Sequence, residues 1–149
     1  MIIETYHVSD NMDAKTIFQP KIWYIVCGVV ALAGGLENNI NAETWAESAW
    51  GVDGVNDQAL AMEALFGLFM CGFGVMGLTC AFVLEGKAQA RFAIANGAVI
   101  SLFFVTMFFV LPTTGYEMPS AAFLAPPFLF MGGLMASGYL HLNDEEQGA

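Results

Sequence analysis

The chain has 149 residues, of which 57% are hydrophobic and 12% are charged, and its mean hydropathy is +0.61. A soluble domain carries about 45–50% apolar and about 25% charged residues, so this composition argues against a disordered chain and against an ordinary soluble domain. Fourteen acidic and four basic residues give a net charge of −10, which would repel the phosphates of nucleic acid. We therefore predict an integral membrane protein that has no nucleic-acid partner.

Residues 1–19 form a polar N-terminal segment that contains three acidic residues. This segment lacks the cationic start and apolar core of a cleavable signal peptide, so the first span is expected to act as an uncleaved anchor. A short surface helix is expected at 14–18, just before the first span.

Four apolar stretches follow, and each is predicted to be a membrane-spanning helix, because a bilayer core about 30 Å thick needs roughly 20 helical residues. The predicted spans are 20–38, 59–84, 88–111 and 120–142, and an acidic tail at 143–149 ends the chain. The first span is short, and a re-entrant segment is the alternative there. Lys21 is expected to snorkel to the lipid headgroups, with Trp23 and Tyr24 as further interface anchors.

The basic residues divide unevenly between the two ends of the predicted helices. Lys15 and Lys21 precede the first span, and Lys87 and Arg91 flank the turn between the second and third spans. The links on the other side, 37–58 and 112–120, contain neither lysine nor arginine. This partition predicts an even number of spans, with both termini in the cytoplasm. Arg91 is expected to contact lipid phosphate or the acidic tail.

The predicted fold is therefore all-α: a four-helix integral membrane bundle that forms a single domain over 1–149. A plasma membrane or bacterial inner membrane is the expected location, since a membrane carrying the positive-inside bias fits the charge pattern.

The first external link is expected to form a short amphipathic helix over 41–51. Asn41 is the predicted N-cap, and Gly51 is predicted to end the helix. Trp45 and Trp50 are expected at the membrane–water boundary, as in aromatic belts. The helix is interpreted as a lid over the outer end of the bundle. The turn after it lacks the ligand pattern of an EF-hand loop, so no metal site is predicted.

Glu63 is the ionisable side chain that the pattern places inside a span, and such a group is a functional candidate by default. At helical spacing it shares a face with Gly67, Met70, Gly74, Gly77 and Ala81, so it is expected to point into the bundle. One interpretation is a proton-linked or cation-binding carboxylate. The other is an interfacial acid that stabilises the positive end of the second span.

Two further groups of polar or helix-breaking residues are candidates. Asn96, with Ser101 nearby, is expected to hydrogen-bond to the second or fourth span, and contact with a substrate is the alternative. Pro126 and Pro127 remove two backbone donors from the fourth span and predict a kink or a break. Such breaks line substrate sites in transporters, although simple bends are commoner.

The layout resembles two families of small four-helix membrane proteins, the DoxX-like proteins and the sterol-biosynthesis scaffold family. The residues that carry the resemblance are Trp23, Gly28, Ala125-Pro126, Gly133-Leu134 and Tyr139-Leu140. It implies a scaffold or accessory role and assigns no role to a single residue.

Three functions are compatible with these patterns. The first is a non-enzymatic subunit or scaffold whose partners are other membrane proteins or further copies of the chain. The second is a small transporter or channel that uses Glu63 and the Pro126–Pro127 break. The third is a binder or enzyme for a lipid, quinone or pigment. No catalytic residue and no cofactor is predicted, because no nucleophile–base pair or ligand spacing occurs.

Overall fold

The computed structural model describes residues 14–144, except the side chains of 121–123, and every regular element in this part is helical. The helices are α1 (Ala14–Ile17), α2 (Pro20–Ile40), α3 (Ala42–Trp50), α4 (Asp57–Val83), α5 (Gly86–Val110) and α6 (Ala121–His141). Short 3-10 helices lie at Val52–Gly54 and Leu111–Thr114. The all-α prediction is confirmed for these residues. Most of the predicted N-terminal segment (1–13) and acidic tail (145–149) lies outside them.

Three helical stretches are long and apolar enough to cross a membrane. They are Ala14–Ile40, in which α1 and α2 follow one another, Asp57–Val83 and Gly86–Thr114. They coincide with the first three predicted spans to within a few residues, apart from the inclusion of α1. The fourth predicted span, 120–142, is helical as α6. Helices of this length and composition are typical of a membrane protein.

Local sequence explains where several helices begin and end. Asn56 caps α4, because its Oδ1 accepts hydrogen bonds from the backbone N–H groups of Gln58 at 2.9 Å and Ala59 at 3.0 Å. Gly51 ends α3 as predicted, with a φ of 74° that residues bearing a Cβ rarely adopt. Asn41 lies at the N-cap position of α3, as predicted, but its side chain makes no capping hydrogen bond. Its side-chain amide donates back to Glu37 Oε1 at 2.9 Å, within the last turn of α2.

Helices α2 and α4 approach each other closely because glycines face one another across the interface. A Cβ placed on Gly74 would lie 2.8 Å from the carbonyl oxygen of Gly28, and one placed on Gly28 would lie 3.0 Å from that of Gly74. The predicted face of α4 is the buried one, which confirms that Glu63 points into the bundle. Its fully buried members are Glu63, Gly67, Gly74, Gly77 and Ala81.

Helices α5 and α6 form a second tight pair, again through small residues. Ala93 is fully buried, and a Cβ on Gly97 would lie 3.0 Å from the carbonyl oxygen of Met131. Ser137 is also fully buried, and its hydroxyl donates to the carbonyl oxygen of Leu134 at 2.7 Å. This bond satisfies the buried hydroxyl group of Ser137.

The two pairs meet along α2 and α6, whereas α4 and α5 touch little beyond the short turn that joins them. Trp23 of α2 packs over Gly133 of α6 and stacks on Phe18, with ring centroids 5.4 Å apart and planes inclined by 10°. Close backbone contact is therefore confined to the interior of each pair. Space remains between the pairs.

Helix α6 continues through Pro126 and Pro127, so the prolines do not interrupt the helix, and the predicted kink stays a prediction. The prolines occupy the sixth and seventh positions of a helix that begins at Ala121, so the backbone donors they lack would serve only carbonyls in its first turn.

A polar cluster joins α1 to the far end of α6. Lys15 Nζ donates to Asp144 Oδ1 at 2.6 Å, and His141 Nδ1 lies 2.6 Å from Asp144 Oδ2. The hydrogen bonds from Lys15 and His141 hold the pKa of Asp144 below its ordinary value. The start and the end of the described chain are therefore neighbours.

Candidate functional site

The space between the helix pairs contains two adjoining cavities of about 130 and 300 Å³. The smaller, here the Tyr24 cavity, is lined by Tyr24 and Asn96 together with apolar side chains. The larger, here the Glu63 cavity, is lined by Glu63 and Tyr116 among others. Met70, Phe104 and Pro127 line both cavities, so the two are neighbours, with a polar group at the far end of each. The two cavities together are called the slot.

The Glu63 carboxyl is the most deeply buried charged group of the slot, with the residue only 3% exposed. It hydrogen-bonds with the side chains of Asn38 on α2 and Tyr116 in the link before α6. Asn38 Nδ2 also donates to the backbone carbonyl of Glu63 at 2.7 Å. Neutral donors from two different elements therefore hold this carboxyl in place.

Tyr116 acts as a donor because its phenol stays protonated. Burial, the negative charge of Glu63 and the hydrogen bond to that carboxyl raise the pKa of Tyr116 from 10.0 to about 12. Its ring also meets the Trp50 ring edge-on, with centroids 5.3 Å apart. The adjacent Glu117 N–H donates to the carbonyl oxygen of Ala49 at 2.7 Å. The link 115–120 is therefore fastened to α3.

Helix α3 lies against the Glu63 end of the slot, and its role as a lid over the outer end of the bundle stays a prediction. Its buried residues, Ala46 and Ala49, pack toward α4. Trp45 lines the Glu63 cavity, and its Nε1 donates to Glu37 Oε2 at 3.0 Å. Trp50 is half-buried, and its Nε1 is buried without a hydrogen-bond partner among the described residues. Both rings thus contact protein. The predicted placement of the two tryptophans at a bilayer boundary stays a prediction.

The other end of the slot is built around Tyr24. Tyr24 is 1% exposed, and its hydroxyl accepts a hydrogen bond from Asn96 Nδ2 at 3.0 Å. The ring is packed inside the bundle, and the predicted role of Tyr24 as an interface anchor stays a prediction. Asn96 also lies 3.9 Å from Cys80 Sγ on α4, the predicted second span. Its main partner is therefore on the first predicted span, which was not anticipated.

The remaining predicted site residues are dispersed. Pro127 lines both cavities and Pro126 lines the Tyr24 cavity, whereas Ser101 lines neither. Lys21 is exposed, with Nζ 5.6 Å from the centroid of the Phe82 ring. Arg91 is exposed near the start of α5.

Two residues of the site, Asn38 and Tyr116, were not among the sequence candidates. Asn38 had one usable signal, since it is an amide in the last turn of an apolar helix. Tyr116 lies in a short link between two prolines and gave no signal that it would reach Glu63.

Acidic and basic side chains are separated in the structure, as they are in the sequence. The acidic residues Glu37 and Glu63 both line its larger cavity. The basic side chains of the described residues lie at the opposite ends of their helices, and none of them forms an ion pair with Glu63. Nor do the described residues contain a group of three histidine, cysteine, aspartate or glutamate side chains placed to hold a metal ion.

Comparison with protein-family models, with curated proteins and with solved structures finds no match for this chain. The likeness to the DoxX-like and sterol-biosynthesis scaffold families therefore remains one of layout and of a few residues. The interpretation of the site depends on its own geometry.

Proposed function

We propose that this protein crosses the membrane four times and binds a lipophilic small molecule in the slot between its two helix pairs. The observation that carries the proposal is that the Tyr24 and Glu63 cavities adjoin and share Met70, Phe104 and Pro127. Ligand sites are typically concave and mostly apolar, with a few convergent polar groups, and they are often found between the helices of a bundle. The Glu63 cavity alone, at about 300 Å³, reaches the lower end of the usual range of roughly 300–1,000 Å³.

Four crossings account for the neighbouring ends of the chain. With α6 as the fourth span, Lys15 and Asp144 lie on the same side of the membrane, as their 2.6 Å contact requires. The basic residues also flank that side, which by the positive-inside rule is the cytoplasm. A plasma membrane or bacterial inner membrane remains the proposed location.

Thiol accessibility in sealed vesicles tests this topology. The three native cysteines are replaced, and single cysteines are introduced at Glu43 and at Lys87. We expect an impermeant maleimide to reach one position from outside and the other only after the vesicles are opened. Tags on the two termini should both be accessible from the same side of the membrane as position 87. Termini on opposite sides, or positions 43 and 87 on one side, would contradict the proposal.

A photoreactive dodecanol that carries a diazirine tests the binding site. In nanodiscs, we expect it to label residues that line the slot, with Met70 and Phe104 as markers that both cavities share. Ala31 lines the Tyr24 cavity, so Ala31→Phe should fill that cavity and reduce slot labelling several-fold. Ala33→Phe is the matched control, because Ala33 is exposed on the same helix. Labelling confined to outward-facing residues, or unchanged by Ala31→Phe, would refute binding in the slot.

The scaffold role predicted first from the sequence needs a partner protein or a second copy, and the transport role needs movement of a substrate. A scaffold needs no internal cavity, so the two neighbouring cavities favour binding over the scaffold role. A transporter would also need such a site, and movement of the ligand across the membrane would distinguish it. Purification in a mild detergent separates the alternatives. A stoichiometric protein partner would favour the scaffold role, and a single species that retains a small molecule would favour binding.

A further inference from the structure

The side-chain hydrogen-bond donors that line the Glu63 cavity, which belong to Asn38, Trp45 and Tyr116, are already paired within the protein. Trp45 Nε1 donates to Glu37, and the Tyr116 hydroxyl pairs with Glu63. Asn38 donates to the backbone carbonyl of Glu63 and also hydrogen-bonds with its carboxyl group. A ligand head that needs donors, such as a phosphate, a sulfate or a carbonyl group, would have to break one of these bonds.

The acceptors are in surplus. The Glu37 and Glu63 carboxylates together offer four oxygens, each with two lone pairs, and only part of this capacity is used by the donors above. Among the described residues, no basic side chain lines either cavity. The cavity is therefore short of positive charge and of hydrogen-bond donors.

Aromatic rings complete the wall of the Glu63 cavity. They belong to Trp45, Phe66, Phe104, Phe108 and Tyr116. The negative face of an aromatic ring attracts a cation, and the attraction strengthens where water is excluded. Anionic oxygens surrounded by aromatic rings are the chemistry that recognises an alkylammonium group.

We infer that the Glu63 cavity receives the head of the ligand, that this head is a positively charged nitrogen, and that the apolar tail extends past Met70 and Phe104 into the Tyr24 cavity. This inference rests on the proposed function and specifies the class of ligand. A protonated lipophilic amine and a quaternary ammonium lipid share this chemistry.

Three photolabels with the same diazirine-bearing dodecyl chain test the inference in nanodiscs of neutral lipid. Their heads are trimethylammonium, hydroxyl and sulfate. We expect the ammonium label to occupy the slot about tenfold or more in preference to the alcohol, which corresponds to about 1.4 kcal/mol. The sulfate label should be excluded. A primary dodecylamine probe that competes as well as the trimethylammonium form would assign the site to amines in general.

Substitutions at Glu63 then test whether this residue causes the preference for the ammonium label over the hydroxyl label. Glu63→Gln should abolish the difference between the ammonium and hydroxyl labels, and Glu63→Asp should retain it in part. Glu43→Gln is the matched control, because it removes one negative charge from an exposed position on α3. The comparison of head groups on the unaltered protein stands even where Glu63→Gln does not fold.

The outcomes separate this inference from the proposed function. If none of the labels reaches the slot, binding there is refuted altogether. If the alcohol labels the slot as well as the ammonium, or if Glu63→Gln leaves the preference unchanged, the slot binds a lipophilic molecule but the charged head is wrong.

Discussion

Gly35 of α2 and Gly67 of α4 pack backbone against backbone, so that each residue lies where a side chain on the other would be. A Cβ added to Gly35 would lie 2.5 Å from the Gly67 carbonyl oxygen, and one added to Gly67 would lie 2.8 Å from the Gly35 carbonyl oxygen. Gly28 and Gly74 stand in the same relation seven residues away along both helices. The spacing of α2 and α4 is therefore set by backbone against backbone, and a methyl group at either level forces the helices apart.

Gly67→Ala tests this contact. We expect a loss of about 1–3 kcal/mol in the free energy of unfolding, since the added methyl meets the Asn39 side chain and also the Gly35 carbonyl oxygen, and the carbonyl oxygen cannot move aside by changing rotamer. Gly72→Ala on the same helix is the control, because nothing lies within 4 Å of its added Cβ. That change should be neutral or stabilise the helix by up to about 1 kcal/mol. Unfolding in detergent, followed by circular dichroism, measures both, and equal effects would contradict the close approach.

Gly133 and Gly132 form a second matched pair. The Cβ of Gly133→Ala would overlap the Trp23 ring, whereas the added Cβ of Gly132→Ala has nothing within 4 Å. We expect Gly133→Ala to displace the indole from its stacked position on Phe18 and to shift its fluorescence. A variant that keeps Trp23 as its single tryptophan provides the measurement. The Gly132→Ala spectrum should match that of the parent, and a shift in both or in neither would contradict the packing.

The hydrogen bond between Asn96 and Tyr24 should appear as coupling in a double-mutant cycle. With Tyr24→Phe and Asn96→Ala, we expect an interaction energy of roughly 0.6 kcal/mol and at most about 1.7 kcal/mol, the range found for bonds between transmembrane helices. Tyr139→Phe, at a 73% exposed position, should be additive with Asn96→Ala. If the effects of Tyr24→Phe and Asn96→Ala are also additive, the hydrogen bond contributes nothing to the free energy of unfolding.

Tyr116 should deprotonate late in alkali. Its pKa is raised from 10.0 to about 12, so the folded state favours the protonated phenol. The stabilisation is fully present below about pH 10 and is lost as the pH rises toward about 12. In a Tyr24→Phe background, which removes the other buried phenol, phenolate absorbance should show a late step that is missing when Tyr116→Phe is added and shifted to lower pH by Glu63→Gln. A titration of Tyr116→Phe that retains the late step would contradict the assignment.

The sequence predicts the helices well, because the length and hydropathy of an apolar stretch can be read directly from neighbouring residues. The buried face of α4 was also predictable, since Glu63, Gly67 and Gly74 recur at helical spacing. Asn41 occupies the predicted N-cap position, but its side chain makes no capping bond, and its amide nitrogen instead donates to Glu37 Oε1.

The site itself depends on contacts between distant parts of the chain. Tyr24 follows Lys21 at the start of a span, a position typical of an interface anchor, but its partner Asn96 is 72 residues away and draws it into the bundle. Tyr116 reaches Glu63 only because the link 115–120 is fastened to α3. No spacing rule encodes either contact.

The glycine contacts form a rigid part of the bundle, whereas the methionines form a part whose side chains can change conformation. Within the described part of the chain, five methionines line the slot: Met70, Met76, Met107, Met118 and Met131. An unbranched thioether rotates at little cost and fills irregular volumes, whereas two backbones in contact have nothing to rotate. Ligands of different shape would therefore be accommodated by rotation of methionine side chains. The helices in backbone contact would not need to shift.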